Sequence, residues 1–171
     1  MERSLVVTLI GADRPGLVEA VSRAVVENGG NWLESRMARL AGRFAGVLRI
    51  AVAAERVPAI ERALAALAGQ GLRTLVEEAD EPAESRERPL LLELVGQDRP
   101  GIVRQIAAVL AAHGVNVENL ATDRTSAPES GESIFRASMR LRVPDGVATD
   151  TLRRELERIA SDLMVDVVLE T

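Results

Sequence analysis

A six-residue sequence occurs twice in this chain, as GADRPG at Gly11–Gly16 and as GQDRPG at Gly96–Gly101. The two copies are 85 residues apart. Each copy follows an apolar run, Leu5–Ile10 or Leu90–Val95, and precedes apolar residues with helical spacing. Each copy therefore predicts a strand, a tight turn and the start of a helix, so that the chain folds as two similar units.

The residue types of this turn suggest how the helix begins. Asp13 is a favoured N-cap, because its carboxylate accepts the backbone N–H groups that the first helical turn leaves free. Pro15 suits the first helical turn, and the flanking glycines allow unusual dihedral angles and close approach of another backbone or a ligand. The sequence is neither GxGxxG nor a P-loop, which needs a lysine, and the chain contains no lysine.

The repeat continues beyond the turn. Gly29 and Gly114 keep the 85-residue offset and stand where a helix C-cap is expected. A later apolar segment, Phe44–Val52, matches Phe135–Val143 at an offset of 91, so the second copy has gained six residues. The gain falls near the polar residues 123–133, which predicts a longer exposed hairpin loop. Alternation along Phe135–Val143 predicts a half-buried strand.

Each copy then shows a second amphipathic helix and a closing strand. The helices are indicated by Ile60, Leu64 and Leu67 and by Leu152, Leu156 and Ile159, and the strands by Leu72–Glu77 and Leu163–Leu169. The order predicts an α+β protein of two tandem ferredoxin-like βαββαβ domains, with both helices on one face of each antiparallel sheet. We expect domains at 1–79 and 90–171, joined by a charged linker at 80–89.

Composition and charge exclude several classes of protein. The only aromatic residues are Trp32, Phe44 and Phe135, so the core must be aliphatic. The chain has no cysteine, no export signal at its N-terminus and no apolar run near the ~20 residues that span a bilayer, so we expect a cytoplasmic protein. The formal net charge of −5 predicts no direct contact with nucleic acid.

The sequence shows no catalytic or metal-binding constellation. His113 is the only histidine and falls at a helix end, where a cation suits the helix dipole. It has no cysteine or second histidine for a metal, and no serine or aspartate partner that the repeat supports. We therefore expect a non-enzymatic protein without a metal or cofactor.

A βαββαβ unit with a D-R-P-G turn after its first strand, and an asparagine at the start of its second, resembles the ACT domain. ACT domains are small regulatory modules that commonly bind amino acids. Two such units together with the stretch Asn31–Leu40 (NWLESRMARL) are similar to the glycine cleavage system transcriptional repressor family. The second copy reads differently there, at Glu118–Arg124. The resemblance covers almost the whole chain and implies glycine as effector and a DNA-binding transcriptional activator as partner.

The resemblance and the turn chemistry together nominate ligand-binding residues in both copies. These are Asp13, Arg14, Pro15, Gly16, Leu17 and Asn31 in the first copy, and Asp98, Arg99, Gly101, Ile102 and Asn116 in the second. The helix N-terminus can bind a carboxylate, the aspartate an ammonium group, and the asparagine amide either. The structural alternatives are that Asp13 only caps the helix and that Asn31 adopts a left-handed conformation after the glycine cap.

These observations predict a regulatory protein that senses a small amino acid, glycine first. Units of ~80 residues are marginal alone, and open sheet faces and edge strands invite pairing, so we expect a homodimer. One alternative is a regulatory ACT subunit that controls an amino-acid or one-carbon metabolic enzyme. Another is an interaction module without a ligand, which titration with amino acids would distinguish. We expect the chain to consist of the two repeats, without a catalytic domain.

Overall fold

The computed structural model describes residues 1–79, 86–127 and 131–170. The chain divides into two compact units, Met1–Glu81 and Pro82–Thr171, and each unit has the order βαββαβ with one four-stranded antiparallel sheet. The predicted α+β class with two ferredoxin-like units is confirmed. The first strand of the second unit begins at Glu87, so residues 87–89 of the expected linker belong to a strand. Residues 80–85 of that linker lie outside the described residues.

The first unit comprises β1 (Glu2–Ala12), α1 (Leu17–Glu27), β2 (Asn31–Leu40), β3 (Arg43–Ala53), α2 (Val57–Ala66) and β4 (Leu72–Glu78). The strand order of its sheet is β2-β3-β1-β4. Two short 3₁₀ turns, Ala54–Arg56 and Leu67–Gln70, flank its second helix. The first two residues of the hexapeptide, Gly11 and Ala12, therefore end a strand.

The second unit repeats this arrangement with β5 (Glu87–Gln97), α3 (Ile102–Ala112), β6 (Asn116–Ser126), β7 (Ser133–Pro144), α4 (Thr149–Leu163) and β8 (Val165–Glu170). The strand order of its sheet is β6-β7-β5-β8. Leu163, which was expected to start the last strand, is the final residue of α4.

Each unit has its own hydrophobic core between one sheet face and its two helices. Along β1, Leu5, Val7 and Leu9 are buried, while the alternate residues face away from the helices. The same alternation along β7 confirms the half-buried strand predicted there. The buried residues of both cores are aliphatic apart from Met139, and the three aromatic side chains are only partly buried against them. Burial of each large aliphatic side chain contributes about 1.5–3 kcal/mol.

The hairpins that join the middle strands differ between the units. In the first unit, β2 and β3 are joined by Ala41 and Gly42, which both have positive φ, at 47° and 74°. In the second unit the strands end at Ser126 and begin at Ser133, which confirms the longer loop. Residues 128–130 of this loop lie outside the described residues. Of the helices in the described part of the chain, none is long and apolar enough to cross a bilayer.

Candidate functional site

The D-R-P-G turn places a left-handed glycine, and not an aspartate, at the start of each helix. Helix α1 begins at Leu17, its N-cap is Gly16 with φ 89°, and no side chain caps it. Helix α3 repeats this geometry with Gly101 at φ 94°. The predicted aspartate caps are therefore wrong, and Pro15 precedes the helix instead of standing in its first turn. The reason is that the chain enters the helix only at the glycine, whose positive φ sets the helix direction. The aspartate and the proline therefore both lie before the helix.

The uncapped helix start leaves backbone donors available. The first helical hydrogen bond of α1 runs from the N–H of Ala20 to the carbonyl of Gly16, at 2.9 Å. The N–H groups of Leu17, Val18 and Glu19 therefore have no partner within the helix. Such a helix start carries partial positive charge and suits an anion such as a carboxylate.

The aspartate of each turn pairs with an arginine of the neighbouring hairpin strand. Asp13 Oδ2 lies 2.5 Å from Arg39 Nε, and Asp98 Oδ2 lies 2.8 Å from Arg124 Nε. Both arginines were missed by the sequence reasoning, although they keep the same 85-residue offset as the aspartates. That shared offset is the signal that could have identified them.

A backbone hydrogen bond reinforces this attachment of turn to hairpin. The N–H of Asp13 donates to the carbonyl of Gly42 at 2.9 Å, and the N–H of Asp98 donates to the carbonyl of Ser133 at 2.8 Å. Each turn is thus fixed to the hairpin end of its own sheet by one main-chain and one side-chain contact.

The arginine of each turn reaches the loop before the last strand of its unit. Arg14 Nη2 donates to the carbonyl of Gln70 at 2.6 Å. Arg99 Nη2 lies 3.0 Å from Gln97 Oε1 and 3.4 Å from Met164 Sδ. The two predicted arginines therefore brace the turn in different ways, and only the second contacts sulfur.

A surface cleft of about 540 Å³ opens beside the first turn. Four predicted residues line it, Asp13, Arg14, Gly16 and Leu17, whereas Pro15 does not. Sequence reasoning missed its other lining residues, which are Val18, Glu19, Ser22 and Phe44. The cleft combines the free helix donors with the Asp13 carboxylate, which is the chemistry that a zwitterionic amino acid requires.

Asn31 lies at the opposite end of the sheet from this turn. It is the first residue of β2 and pairs with Ala51, whereas Gly11 of β1 pairs with Phe44. With a strand rise of about 3.3 Å per residue, the separation along β3 is roughly 20 Å. One glycine molecule cannot touch Asn31 and Asp13 of the same unit. The second unit shows the same separation, because Asn116 pairs with Arg142 while Gly96 of β5 pairs with Phe135.

Both asparagines are exposed strand residues that precede an irregular rung. The pairing register shifts between Trp32 and Glu34, and at the equivalent place between Val117 and Asn119. Among the described residues only Ala41 and Met164 are non-glycine residues with positive φ, so the left-handed alternative for Asn31 is wrong. β-Bulges often lie beside functional sites, and this one is repeated in both units.

No group of three or more histidine, cysteine, aspartate or glutamate side chains that could hold a metal occurs in residues 1–79, 86–127 and 131–170. His113 is the C-cap residue that follows helix α3, and its Nε2 lies 3.0 Å from Glu155 Oε2 of α4. This contact ties the two helices of the second unit together and gives the histidine a structural role.

Comparison with known proteins assigns both units to one family. The ACT domain family matches residues 3–75 and again residues 91–160. The glycine cleavage system transcriptional repressor of Escherichia coli (strain K12) is 30% identical over 131 residues, covering 74% of this chain and 67% of that protein.

Solved structures agree along almost the whole chain. A protein of unknown function from Galdieria sulphuraria is 32% identical, with a TM-score of 0.90 over 99% of this chain and 98% of the other. A second crystal structure, of a protein provisionally described as a glycine cleavage system transcriptional repressor, gives a TM-score of 0.73 at 23% identity, covering 99% and 97%. The second similarity concerns the fold alone. The repeated fold and these matches establish that the chain belongs to the ACT domain family, with one ACT domain in each unit.

Proposed function

We propose that this chain is a non-enzymatic cytoplasmic regulator that senses a small amino acid, glycine first, and controls expression of the glycine cleavage system through a partner protein. The observation that carries the proposal is the 30% identity to the Escherichia coli repressor over 74% of this chain. The presence of the D-R-P-G turn in both ACT domains supports it. The proposal includes a homodimer and a DNA-binding transcriptional activator as partner.

The turn at the start of α1 supplies the chemistry for binding glycine. The free N–H groups of Leu17 and Val18 can donate to the ligand carboxylate, and the helix dipole favours that negative charge. The carboxylate of Asp13 can accept a hydrogen bond from the ligand ammonium while its Oδ2 stays paired with Arg39. The equivalent donors in the second unit are those of Ile102 and Val103.

The asparagines form a second, separate candidate site. Because Asn31 lies roughly 20 Å along the sheet from the turn, as the strand rise requires, it cannot assist the same ligand molecule within its unit. The exposed amides of Asn31 and Asn116 offer both donor and acceptor atoms. The experiment must therefore distinguish a site at the turns from a site at the asparagines.

Calorimetric titration of the full chain with glycine and with serine tests the proposal. Acetate serves as the ligand control, because it has the carboxylate but lacks the ammonium group. Val18→Glu puts a carboxylate beside the free donors. The helix dipole favours a negative charge there, so the fold should tolerate it, but the new carboxylate repels the carboxylate of a bound amino acid. We expect this variant to weaken binding by about tenfold or more, equivalent to the loss of one charge-assisted hydrogen bond. Val103→Glu makes the same change in the second unit.

Matched variants separate the two candidate sites. Val26→Glu introduces the same charge at the other end of α1 and should leave amino-acid affinity unchanged. If Asn31→Ala and Asn116→Ala weaken binding while Val18→Glu and Val103→Glu do not, the site lies at the asparagines. If the wild type binds neither glycine nor serine at millimolar concentration, sensing of these amino acids is refuted. The alternative of an interaction module without a ligand is then the better description of this chain.

The partner requires its own measurement. We expect a complex with a DNA-binding activator of glycine cleavage genes, detected by size-exclusion chromatography, with a stability that changes when glycine is added. The chain alone should not shift operator DNA in an electrophoretic assay, because neither unit is strongly basic. A complex with an amino-acid or one-carbon enzyme, and none with the activator, would favour the alternative of an enzyme-regulating ACT subunit.

A further inference from the structure

The open face of the first unit's sheet carries a contiguous apolar patch. Its centre is formed by Ile10, Val47 and Leu75, whose exposed fractions are 39%, 43% and 57%. They lie on the three adjacent strands β1, β3 and β4, and Thr8 pairs with both Val47 and Leu75. Adjacent exposed apolar side chains of this kind mark a contact surface.

Two opposite charges flank this patch along the edge strand β4. Arg73, Leu75 and Glu77 are alternate residues of β4 and share its exposed face. Within the described part of the chain, neither Arg73 nor Glu77 forms an ion pair. A cation and an anion thus lie on either side of an exposed leucine, each without an ion-pair partner among the described residues.

This arrangement is complementary to itself. A two-fold axis in the interface plane, crossing the strands through Leu75, Thr8 and Val47, places Arg73 of one copy opposite Glu77 of the other. The same operation brings Leu75 against Leu75 and Ile10 against Val6. Sheets that pack face to face lie about 10 Å apart with nearly aligned strands, which this operation allows. The contact must be confined to β4, β1 and β3. Arg36 of β2 is the next residue in line after Val47, and the same operation would place it opposite the Arg36 of the other copy, where like charges repel.

Building on the homodimer of the proposed function, we propose that the open sheet face of the first unit is the self-association surface, and that its occupant is a second copy of this chain. An isologous contact requires that one patch complement itself, and the charges beside Leu75 meet that requirement. Opposite charges facing each other fix the alignment of the two sheets and disfavour other partners.

The second unit provides an internal comparison. Pairing across its sheet makes Glu93 and Val168 the counterparts of Thr8 and Leu75. The outward neighbours of Val168 on β8 are Asp166 and Glu170, so the same two-fold operation would oppose acid to acid and Glu93 to itself. Like charges placed face to face are unfavourable. Only the first unit's face is therefore suited to pairing with a copy of itself.

Sedimentation velocity on the full chain tests this proposal, at concentrations between about 1 and about 200 µM, since small interfaces often dissociate in the micromolar range. We expect a reversible dimer. Leu75→Glu should raise the dimer dissociation constant by about tenfold or more, because it brings two unpaired carboxylates together at the axis. Val168→Glu, which changes the equivalent exposed residue of the second unit, should associate like the wild type.

A charge swap makes the test specific. Arg73→Glu and Glu77→Arg should each weaken the dimer, whereas the double variant Arg73→Glu/Glu77→Arg should restore it, because both ion pairs form again with reversed sign. Circular dichroism and thermal unfolding verify that each variant is folded. A wild type that stays monomeric throughout, a double variant as weak as the single ones, or an equal effect of Val168→Glu would overturn the proposal.

Discussion

Asp13 and Arg39 form an ion pair, with Asp13 Oδ2 2.5 Å from Arg39 Nε, that connects the D-R-P-G turn to the hairpin strand β2. The Asp13 side chain is 29% exposed and that of Arg39 is 72% exposed, so solvent screens the pair. The carboxylate thus serves the contact between turn and hairpin, and the helix start keeps its free donors.

We expect Asp13 and Arg39 each to contribute modestly to the free energy of unfolding, and each contribution to depend on the presence of the other residue. In a double-mutant cycle with Asp13→Ala and Arg39→Ala, we expect a coupling of about 0.2–1 kcal/mol, typical of exposed pairs. The coupling should fall as salt is added. The measurement is urea unfolding of the four proteins, with Asp98→Ala and Arg124→Ala as the parallel cycle in the second unit. A loss near 2 kcal/mol for Asp13→Ala, unaffected by Arg39, would indicate a helix cap after all.

Substitution of the first glycine of each turn should lower the stability of the protein by more than loss of this ion pair does. A Cβ on Gly11 would lie 2.6 Å from the carbonyl oxygen of Gly71, and one on Gly96 would lie 2.7 Å from that of Met164. Both neighbours are backbone atoms, which cannot rotate away. We expect Gly11→Ala and Gly96→Ala each to destabilise the protein by about 1–3 kcal/mol through overpacking.

Thermal unfolding of both variants measures this cost, with Gly69→Ala and Gly146→Ala as controls. A Cβ at either control position meets no atom within 4 Å, so these variants should stay close to wild type. Equal stability of Gly11→Ala and Gly69→Ala would show that the β1–β4 contact is looser than described.

Much of the fold could be predicted because its signals are local and repeated. The offset of 85 residues, the alternation along Phe135–Val143 and the helical spacing after each turn all depend on neighbouring residues. They specify which face of each element is buried, and hence the βαββαβ order. Arg39, by contrast, reaches Asp13 only because a hairpin folds back. The 85-residue offset that it shares with Arg124 could mark it as part of the repeat, but it could not show which residue it contacts.

The position of Asn31 could also have been inferred from the chain path. Strand β1 ends where α1 begins, and α1 runs back along the sheet, so the residue after the helix must lie at the opposite end of the strands. The N-cap is different, because Asp13 and Gly16 are both acceptable caps by residue type. The choice between them depends on the φ of 89° at Gly16, which the sequence does not specify.

The β2–β3 hairpin predicts a stabilising substitution. Ala41 and Gly42 form a two-residue turn with positive φ at both positions, as in a type I′ turn, which favours Asn-Gly. Ala41→Asn should therefore stabilise the protein by about 0.5–1 kcal/mol, because asparagine tolerates the left-handed region better than alanine. Thermal unfolding checks it, with Ala41→Val as the opposite control. An Ala41→Asn variant that melts below the wild type would contradict this turn type.

A second substitution that relieves backbone strain is expected at Met164, which lies between α4 and β8. Its φ is 55°, and the equivalent residue of the first unit, before β4, is Gly71 with φ 79°. A left-handed conformation costs a residue with a side chain roughly 1–2 kcal/mol, and Met164 is 61% exposed, so little packing offsets that cost. Met164→Gly should gain about 0.5–1 kcal/mol, since the flexibility of glycine in the unfolded chain cancels part of the relief.

Urea unfolding of matched variants at this junction tests the strain. Met164→Ala removes the side chain and its 3.4 Å contact with Arg99 but keeps the strained backbone, so it should gain nothing. Gly71→Ala makes the reverse change in the first unit and should lose about 1 kcal/mol, because a Cβ there meets no atom within 4 Å and only the backbone conformation opposes it. If Met164→Gly and Met164→Ala have the same stability, the contact with Arg99 and not the backbone conformation determines the effect of residue 164.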